Sequence, residues 1–450
     1  MWYKLRLNLN KLTPAQVIVS FYLIAVTVAT ILLSLPFAHK PGAEWSFIDA
    51  IFTSVSAVSV TGLTVVSTAD TFNTAGIFLL IFVLQFGGIG IMTLGTFFWL
   101  LVGKKIGLKE RRLIMTDQNQ TNLSGLVHLL KQILLLIIVI ELVGAFILGV
   151  YFLSYYPSWQ EAFIQGLFAS VSATTNAGFD ITGQSLIPFK DDYFVQFITI
   201  ILLTLGAIGF PVLIETKDYL MNKQRSKHHF SLFTKITTIT FAILLISGTL
   251  VIWLFEYDHF FAGMAWHESF FYSLFQSSST RSGGLATMNV AEFSTPTLLV
   301  LSALMFIGAS PSSVGGGIRT TTFALNILFL FHFARGNQTI KVFRREVHEQ
   351  DIIKSLVVTM VAVLMCFVSV VILTITEDHS LIEIIFEVAS AFGTTGLSLG
   401  ITSDLSSIGK CVIIALMFIG RVGILSFLFM IGGKEKTTKY HYPKERVIIG

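Results

Sequence analysis

Hydrophobic and polar positions alternate along this chain in long blocks. Apolar runs able to cross a bilayer, about 20 residues each, fall at 15–36, 75–102, 126–153, 194–221, 236–256, 297–331, 355–376 and 408–432. Inside each successive pair lies a shorter apolar stretch, at 46–57, 158–173, 268–278 and 380–391, too short to cross. Three of these open with a capping box, Ser46/Asp49, Ser158/Glu161 and Ser380/Glu383, which satisfies free amides at a helix start. The third stretch has only Glu268 near its start. Each quarter therefore predicts a span, a short helix, a loop and a second span.

The loops repeat. "SAVSVTGLTV" (Ser56 to Val65), "SATTNAGFDI" (Ser172 to Ile181), "SSTRSGGLAT" (Ser278 to Thr287) and "AFGTTGLSLG" (Ala391 to Gly400) align on Gly62, Gly178, Gly284 and Gly396, at intervals of 116, 106 and 112 residues. A second echo follows each loop: Gly87, Gly88 and Gly90; Gly206 and Gly209; Gly308; Gly420 and Gly423. Small residues let helices approach closely in lipid, and this row is read as packing. The expected fold is an all-α integral membrane protein of four tandem span, pore-helix, span repeats around one central pore. It has pseudo-fourfold symmetry, with eight spanning helices and four re-entrant pore helices. The repeats are assigned to 1–102, 103–222, 223–335 and 336–433, with a cytoplasmic tail at 434–450.

Composition agrees with a bilayer environment. Of 450 residues, 54% are hydrophobic and only 12% charged, with a mean hydropathy of +0.77, whereas a soluble chain carries about 25% charged residues. Lys and Arg set orientation. They gather at the start (Lys4, Arg6, Lys11), in the connections at 103–125, 217–235 and 335–354, and in the tail, which together hold 23 of the 30. These segments alternate along the chain and are expected in the cytoplasm with both termini. The intervening loops are acidic. The net charge of +4 gives no case for nucleic acid, since basic segments beside spans set topology and touch anionic lipid. The first run lacks a small-residue cleavage site and reads as a retained span. Cys366 and Cys411 sit within spans and are expected to be buried packing residues.

Backbone that is neither helix nor closed barrel survives at membrane depth only when buried in protein or facing water. Four re-entrant loops about one axis meet that condition by lining a pore. A cation stripped of water needs replacement oxygens, and backbone carbonyls can supply them. Glycine permits the positive φ that aims successive carbonyls. The expected carbonyl donors are Val60, Thr61 and Gly62; Asn176, Ala177 and Gly178; Ser282, Gly283 and Gly284; and Thr394, Thr395 and Gly396. The pore helices would point their negative ends inward.

The sixth span is interrupted by Gly308, Ala309, Ser310, Pro311, Ser312, Ser313, Val314, Gly315, Gly316 and Gly317, where continuous helix is disfavoured. This is either a kink that neighbours relieve or a small-residue loop that obstructs the pore until it moves. Arg319 and Arg421 lie in apolar surroundings, where a charge faces a cavity or a partner. They are either a positive barrier or latch on the pore, or structural partners of the broken helix. Arg281 is expected to brace the third loop, and Glu141 either to bond another helix or to serve as a gating partner for an arginine. An enzyme is not indicated, because the spans show no HExxH, GxSxG or paired-Asp motif.

At these motifs the chain resembles the potassium-transporter superfamily that includes bacterial Trk and Ktr systems, fungal Trk and plant HKT proteins. The likeness covers almost the whole chain, and is greatest to the ion-translocating membrane subunit of a Ktr system, of the KtrB or KtrD type. It implies potassium uptake, often sodium-dependent, across the bacterial cytoplasmic membrane, with K+ held in the filter and no organic cofactor in this chain. It also implies a homodimer with one pore per chain and a cytoplasmic ring of regulatory nucleotide-binding subunits of the KtrA or KtrC type. By position, Gly62, Gly178, Gly284 and Gly396 match the filter glycines, Gly308 to Gly317 the gating loop, and Arg421 the pore arginine. Where the family's third loop commonly reads Thr-Pro-Arg-Thr-Ala-Gly-Phe, this chain has Ser279-Thr280-Arg281-Ser282-Gly283-Gly284-Leu285. Lacking the proline and carrying an extra glycine, it is expected to be softer.

Overall fold

A computed structural model describes residues 13–43, 45–90, 93–95, 125–221, 229–337 and 339–432, with isolated positions 106, 107, 111, 113, 115, 443 and 445. The basic start, most of the 103–125 connection, positions 222–228, most of the 434–450 tail and much of the second apolar run beyond Gly90 lie outside the described residues.

The first quarter holds α1 (Pro14–Leu33), α2 (Phe47–Ser59) and α3 (Thr74–Gly88). The second holds α4 (Leu126–Phe152), α5 (Trp159–Thr174), α6 (Tyr193–Ala207) and α7 (Phe210–Met221). The third holds α8 (Leu232–Glu256), α9 (Trp266–Ser279), α10 (Thr295–Ile307) and α11 (Thr320–Ala334). A small antiparallel hairpin, Lys341–Val342 (β1) on Arg345–Glu346 (β2), interrupts the helical pattern. The fourth quarter holds α12 (Glu349–Thr376), α13 (Leu381–Gly393), α14 (Ser407–Val422) and α15 (Ile424–Gly432).

Each quarter opens with one long helix. Among the described residues, α1, α4, α8 and α12 are long and apolar enough to cross a membrane alone. Their outward faces stay bare: Phe146, Leu254 and Met360 are 65%, 68% and 72% exposed. In water such a surface would drive association; against lipid tails it carries no penalty. This is a multi-pass membrane protein.

The second spans of the second and fourth quarters bend where the sequence reads as continuous apolar runs. α6 and α7 meet at 105°, and α14 and α15 at 101°. Only the break between α10 and α11 was expected. Each helix stops at a glycine with left-handed backbone: Gly209 at φ 102°, Gly308 at 69° and Gly423 at 88°, with Gly90 at 90° just past α3. The second glycine row is thus only partly packing. Gly87, Gly206 and Gly420 do pack, since a β-carbon on any of them would strike backbone at the end of a short helix, and Gly88 packs on the Thr175 side chain; Gly90, Gly209, Gly308 and Gly423 follow helix ends.

The quarters form a closed ring. Each long helix packs on the short helix of its own quarter: α1 on α2, α4 on α5, α8 on α9, α12 on α13. Each second-span helix packs on the short helix of the next quarter: α3 on α5, α6 on α9, α10 on α13, and α14 back on α2. At that closure Lys410 Nζ lies 3.0 Å from Asp49 Oδ1, both side chains mostly shielded.

Side chains also tie the end of each long helix to the start of its exit helix. Glu256 accepts from Ser294 N and Oγ at 2.9 and 2.6 Å, and Glu377 accepts from Ser406 N and Oγ at the same distances. Tyr155 donates to Asp192, and Asn73 donates to the Phe37 and His39 carbonyls. Each tie ends on the N-cap residue of the exit helix, Asn73, Asp192, Ser294 or Ser406, and so fixes where that helix starts.

The short helices start as expected. Ser46, Ser158 and Ser380 accept from the backbone N–H three residues on, and Glu268 accepts from Ala265 N. The reciprocal half of the box forms at Ser380/Glu383, where Glu383 accepts from Ser380 N at 2.8 Å. Cys366 is half-buried and Cys411 exposed, so neither is the fully buried packing residue expected from sequence.

Candidate functional site

The four short helices end on one pattern of backbone. Two residues before each aligned glycine the chain turns left-handed: Val60 at φ 56°, Asn176 at 51°, Ser282 at 73° and Thr394 at 48°. The glycines repeat that hand, Gly62 at 91°, Gly178 at 67°, Gly284 at 69° and Gly396 at 95°. Left-handed backbone is costly for residues with a β-carbon. Its recurrence at Val, Asn, Ser and Thr shows that the site requires this conformation.

Three loops close alike. Thr61, Ala177 and Thr395 N–H groups donate to the carbonyls of Ser56, Ser172 and Ser390, five residues back, at 2.8, 2.7 and 2.8 Å. The third closes tighter, Gly283 N on Ser279 O at 2.6 Å. The departure read in its sequence therefore has a counterpart in its hydrogen bonding. Arg281 is wholly buried and donates to Leu304 O at 2.5 Å, bracing this loop on α10.

The glycines meet in chain order around a circuit. A β-carbon on Gly62 would lie 2.5 Å from the Ala177 carbonyl oxygen, and one on Gly178 would lie 3.0 Å from Gly284 Cα. On Gly284 it would strike the Thr395 carbonyl oxygen, and on Gly396 that of Thr61. All four expected loops are brought together.

Their carbonyls are left open. Among the described residues, no donor reaches the backbone oxygens of Val60, Thr61 and Gly62, or those of their counterparts in the other loops, with one exception. Thr394 O accepts from Ser282 Oγ at 2.8 Å. Buried carbonyls are almost always paired. A ring of unpaired ones, flanked by the negative ends of four helices, is a cluster of acceptors suited to a bare cation.

Sequence reading missed how the loops are held. Ser56 Oγ and Ser390 Oγ accept from Gly62 N and Gly396 N at 3.1 and 3.0 Å, and Ser172 Oγ donates to Phe179 O at 2.5 Å. The signal was present: a serine stands six positions before each glycine, at Ser56, Ser172, Ser278 and Ser390.

The break between α10 and α11 lies against this cluster. Gly316 N donates to Ser282 Oγ at 3.2 Å, and β-carbons on Gly315 and Gly316 would meet Ser282 and Thr394 side chains. Ser310 N and Val314 N donate to Ala207 O and Gly206 O at 3.0 and 3.2 Å, while Phe210 N donates to Ser312 O at 2.8 Å. The bend at Gly209 thus frees the end of α6 to hold the loop. Gly315 O accepts from both Arg319 Nη1 and Arg421 Nη1, and Arg421 also donates to Gly87 O. The two arginines, far apart in sequence, converge on one carbonyl. On the basic-loop side, a cavity of about 460 Å³ is lined by both of them with Tyr22, Phe210, Ile236 and Val422.

Glu141 bonds another helix, as expected, accepting from Gln85 Nε2 at 2.9 Å. Among the described residues no cluster of His, Cys, Asp and Glu could hold a metal ion.

Residues 7–435 match the family model TrkH, described as cation transport protein. The chain is 67% identical over 442 residues to Ktr system potassium uptake protein D of Bacillus subtilis strain 168, covering 98% of each. It is 35% identical over 444 residues to protein B of the Ktr system in the same strain, covering 98% of this chain and 97% of that one. The potassium transporter TrkH of Vibrio parahaemolyticus, at 23% identity, superposes with a TM-score of 0.71 over 91% of this chain and 84% of that one, a likeness of fold.

Proposed function

This chain belongs to the TrkH family of cation transport proteins and is a Ktr-type potassium uptake membrane subunit, not an enzyme; from that premise we propose how it conducts. Potassium passes through one central pore enclosed by the four quarters. Val60, Thr61, Gly62, Asn176, Ala177, Gly178, Ser282, Gly283, Gly284, Thr394, Thr395 and Gly396 offer carbonyl oxygens that replace its water shell. The observation that carries this reading is the circuit of glycines bearing unpaired buried carbonyls. Alternating backbone hand turns successive carbonyls to one side, and the four helix ends add partial negative charge.

The segment from Gly308 to Gly317 is the gate. Its donors are tied to α6, its Gly316 to the third loop, and its Gly315 carbonyl to Arg319 and Arg421. In that state the loop stands across the pore and the arginines latch it. Opening requires those bonds to be exchanged. The second-span breaks make this feasible, because the loop is held by termini and side chains and not by continuous helix.

The four repeats act as one conducting unit, at 1–102, 103–222, 223–335 and 336–433, with eight membrane crossings, some bent. The basic loops and both termini face the cytoplasm. The chain pairs as a homodimer on a ring of nucleotide-binding regulatory subunits. The test is potassium and rubidium flux in proteoliposomes, with sodium present or absent. Rubidium and potassium entry well above sodium entry supports the reading; equal entry of all three overturns it.

A further inference from the structure

One open carbonyl in the loop circuit is already taken, and the group that takes it also touches the gate. We infer that the Ser282 hydroxyl is a positioning group that couples the loop at Gly308 to Gly317 to cation affinity at the nearest carbonyl level, that of Val60, Asn176, Ser282 and Thr394.

The geometry is specific. Ser282 Oγ lies 2.8 Å from Thr394 O and 3.0 Å from Gly393 O, and it accepts from Gly316 N at 3.2 Å. A hydroxyl has one proton and two acceptor lone pairs. With Gly316 N–H on a lone pair, the proton is directed to the fourth-quarter carbonyls. Thr394 O then spends a lone pair on Ser282, and a cation at that level has three free oxygens and one shared.

When the loop withdraws, the hydroxyl loses its donor. It can then turn to its other neighbour, Thr394 Oγ1 at 3.1 Å, and Thr394 O is released to the cation. Loop position and cation affinity are thereby linked through one hydroxyl. The other three loops lack the device: no side-chain hydroxyl reaches the Val60, Asn176 or Ser282 carbonyls among the described residues. The Ser282 backbone is left-handed, yet Thr394 holds the equivalent place in its own loop at φ 48°, so threonine fits that conformation.

This inference rests on the proposed filter and gate, and the test separates the two. Full-length protein is reconstituted in liposomes, and rubidium influx is measured against rubidium concentration. Five proteins are compared: native, Ser282→Ala, Ser282→Thr, native lacking residues 311–316, and Ser282→Ala combined with that deletion. The deletion should raise maximal influx and lower the half-saturating concentration about fivefold, the worth of one net hydrogen bond. Ser282→Ala should give the same fivefold shift with the loop intact, and the deletion should add no further shift to it. Ser282→Thr should keep the native value. If the deletion still shifts half-saturation fivefold in the alanine protein, the coupling is refuted while the gate stands. If the deletion leaves maximal influx unchanged in every background, the gate itself is refuted. Should the alanine protein fail to fold, an unshifted half-saturation in the deletion of the native chain refutes the coupling alone.

Discussion

Gly396 stands against Thr61 so closely that a β-carbon on the glycine would fall on the threonine's carbonyl oxygen. The two belong to the last and first quarters, 335 positions apart, and their contact closes the loop circuit. Replacing Gly396 by serine forces that carbonyl to move and places a side chain at φ 95°. The backbone strain alone is about 1–2 kcal/mol. Potassium-over-sodium discrimination should fall about tenfold, the equivalent of ~1.4 kcal/mol, in competitive flux. Gly62→Ser should behave alike. Undiminished discrimination in both would exclude the carbonyl filter.

Arg421 reaches two carbonyls, Gly315 in the loop and Gly87 in α3. Charged hydrogen bonds are worth about 1.5–3 kcal/mol each, so Arg421→Ala should raise influx about tenfold or more by releasing the loop. Arg421→Lys distinguishes latch from barrier. Lysine keeps the charge but not the planar fork, so a latch predicts that the lysine variant conducts nearly as fast as the alanine one. A barrier predicts influx near the native level.

The Lys410–Asp49 pair joins α14 to α2 where the ring closes. Lys410→Met should lower the melting temperature in detergent by about 1–2 °C, in keeping with ~0.5–1 kcal/mol for such a pair. Exchanging the two residues should recover most of the loss. No change in the single variant would mean that the apolar contact alone holds the closure.

Two carboxyls at the short-helix starts give an acid dependence. Burial opposes ionisation of Asp49, but bonds from Ser46 and Lys410 outweigh it and hold its carboxyl below the usual range. Ser380 hydrogen bonds hold Glu383 low in the same way. Folded values below the unfolded ones mean stability that is complete above about pH 4–5 and drains as pH falls through the folded values. The melting temperature should be flat near neutrality and drop below about pH 4. The Asp49→Asn, Glu383→Gln protein should drop less steeply; an unchanged slope would remove these two groups as the cause.

The loops were legible in the sequence because their requirement is local. Positive φ at Gly62 or Gly396 selects glycine wherever the loop goes, and a serine before a short helix caps it in any context. The bends at Gly209 and Gly423 were hidden. Hydropathy sums transfer energy along 194–221 and 408–432, and it is blind to the direction of the backbone. Nor does a glycine in an apolar run mark a break by itself, since glycine is frequent in membrane helices. What permits the break at Gly209 is a partner distant in sequence, the Ser312 carbonyl that takes Phe210 N–H. The meeting of Arg319 and Arg421 on Gly315 is hidden for the same reason. It depends on how the third and fourth quarters pack, and no spacing encodes it.

The return of α14 to α2 has a consequence for synthesis. A ribosome delivers the quarters in order, so the first short helix waits for its neighbour until the last exit helix has entered the bilayer. Until then all four loops have been made but the side between the last and the first stays open, and their carbonyls lack the wall that seals them. Insertion must therefore shelter an unsealed wall through most of translation, and truncation before Ser407 should yield a chain marked for degradation and not a smaller conductor.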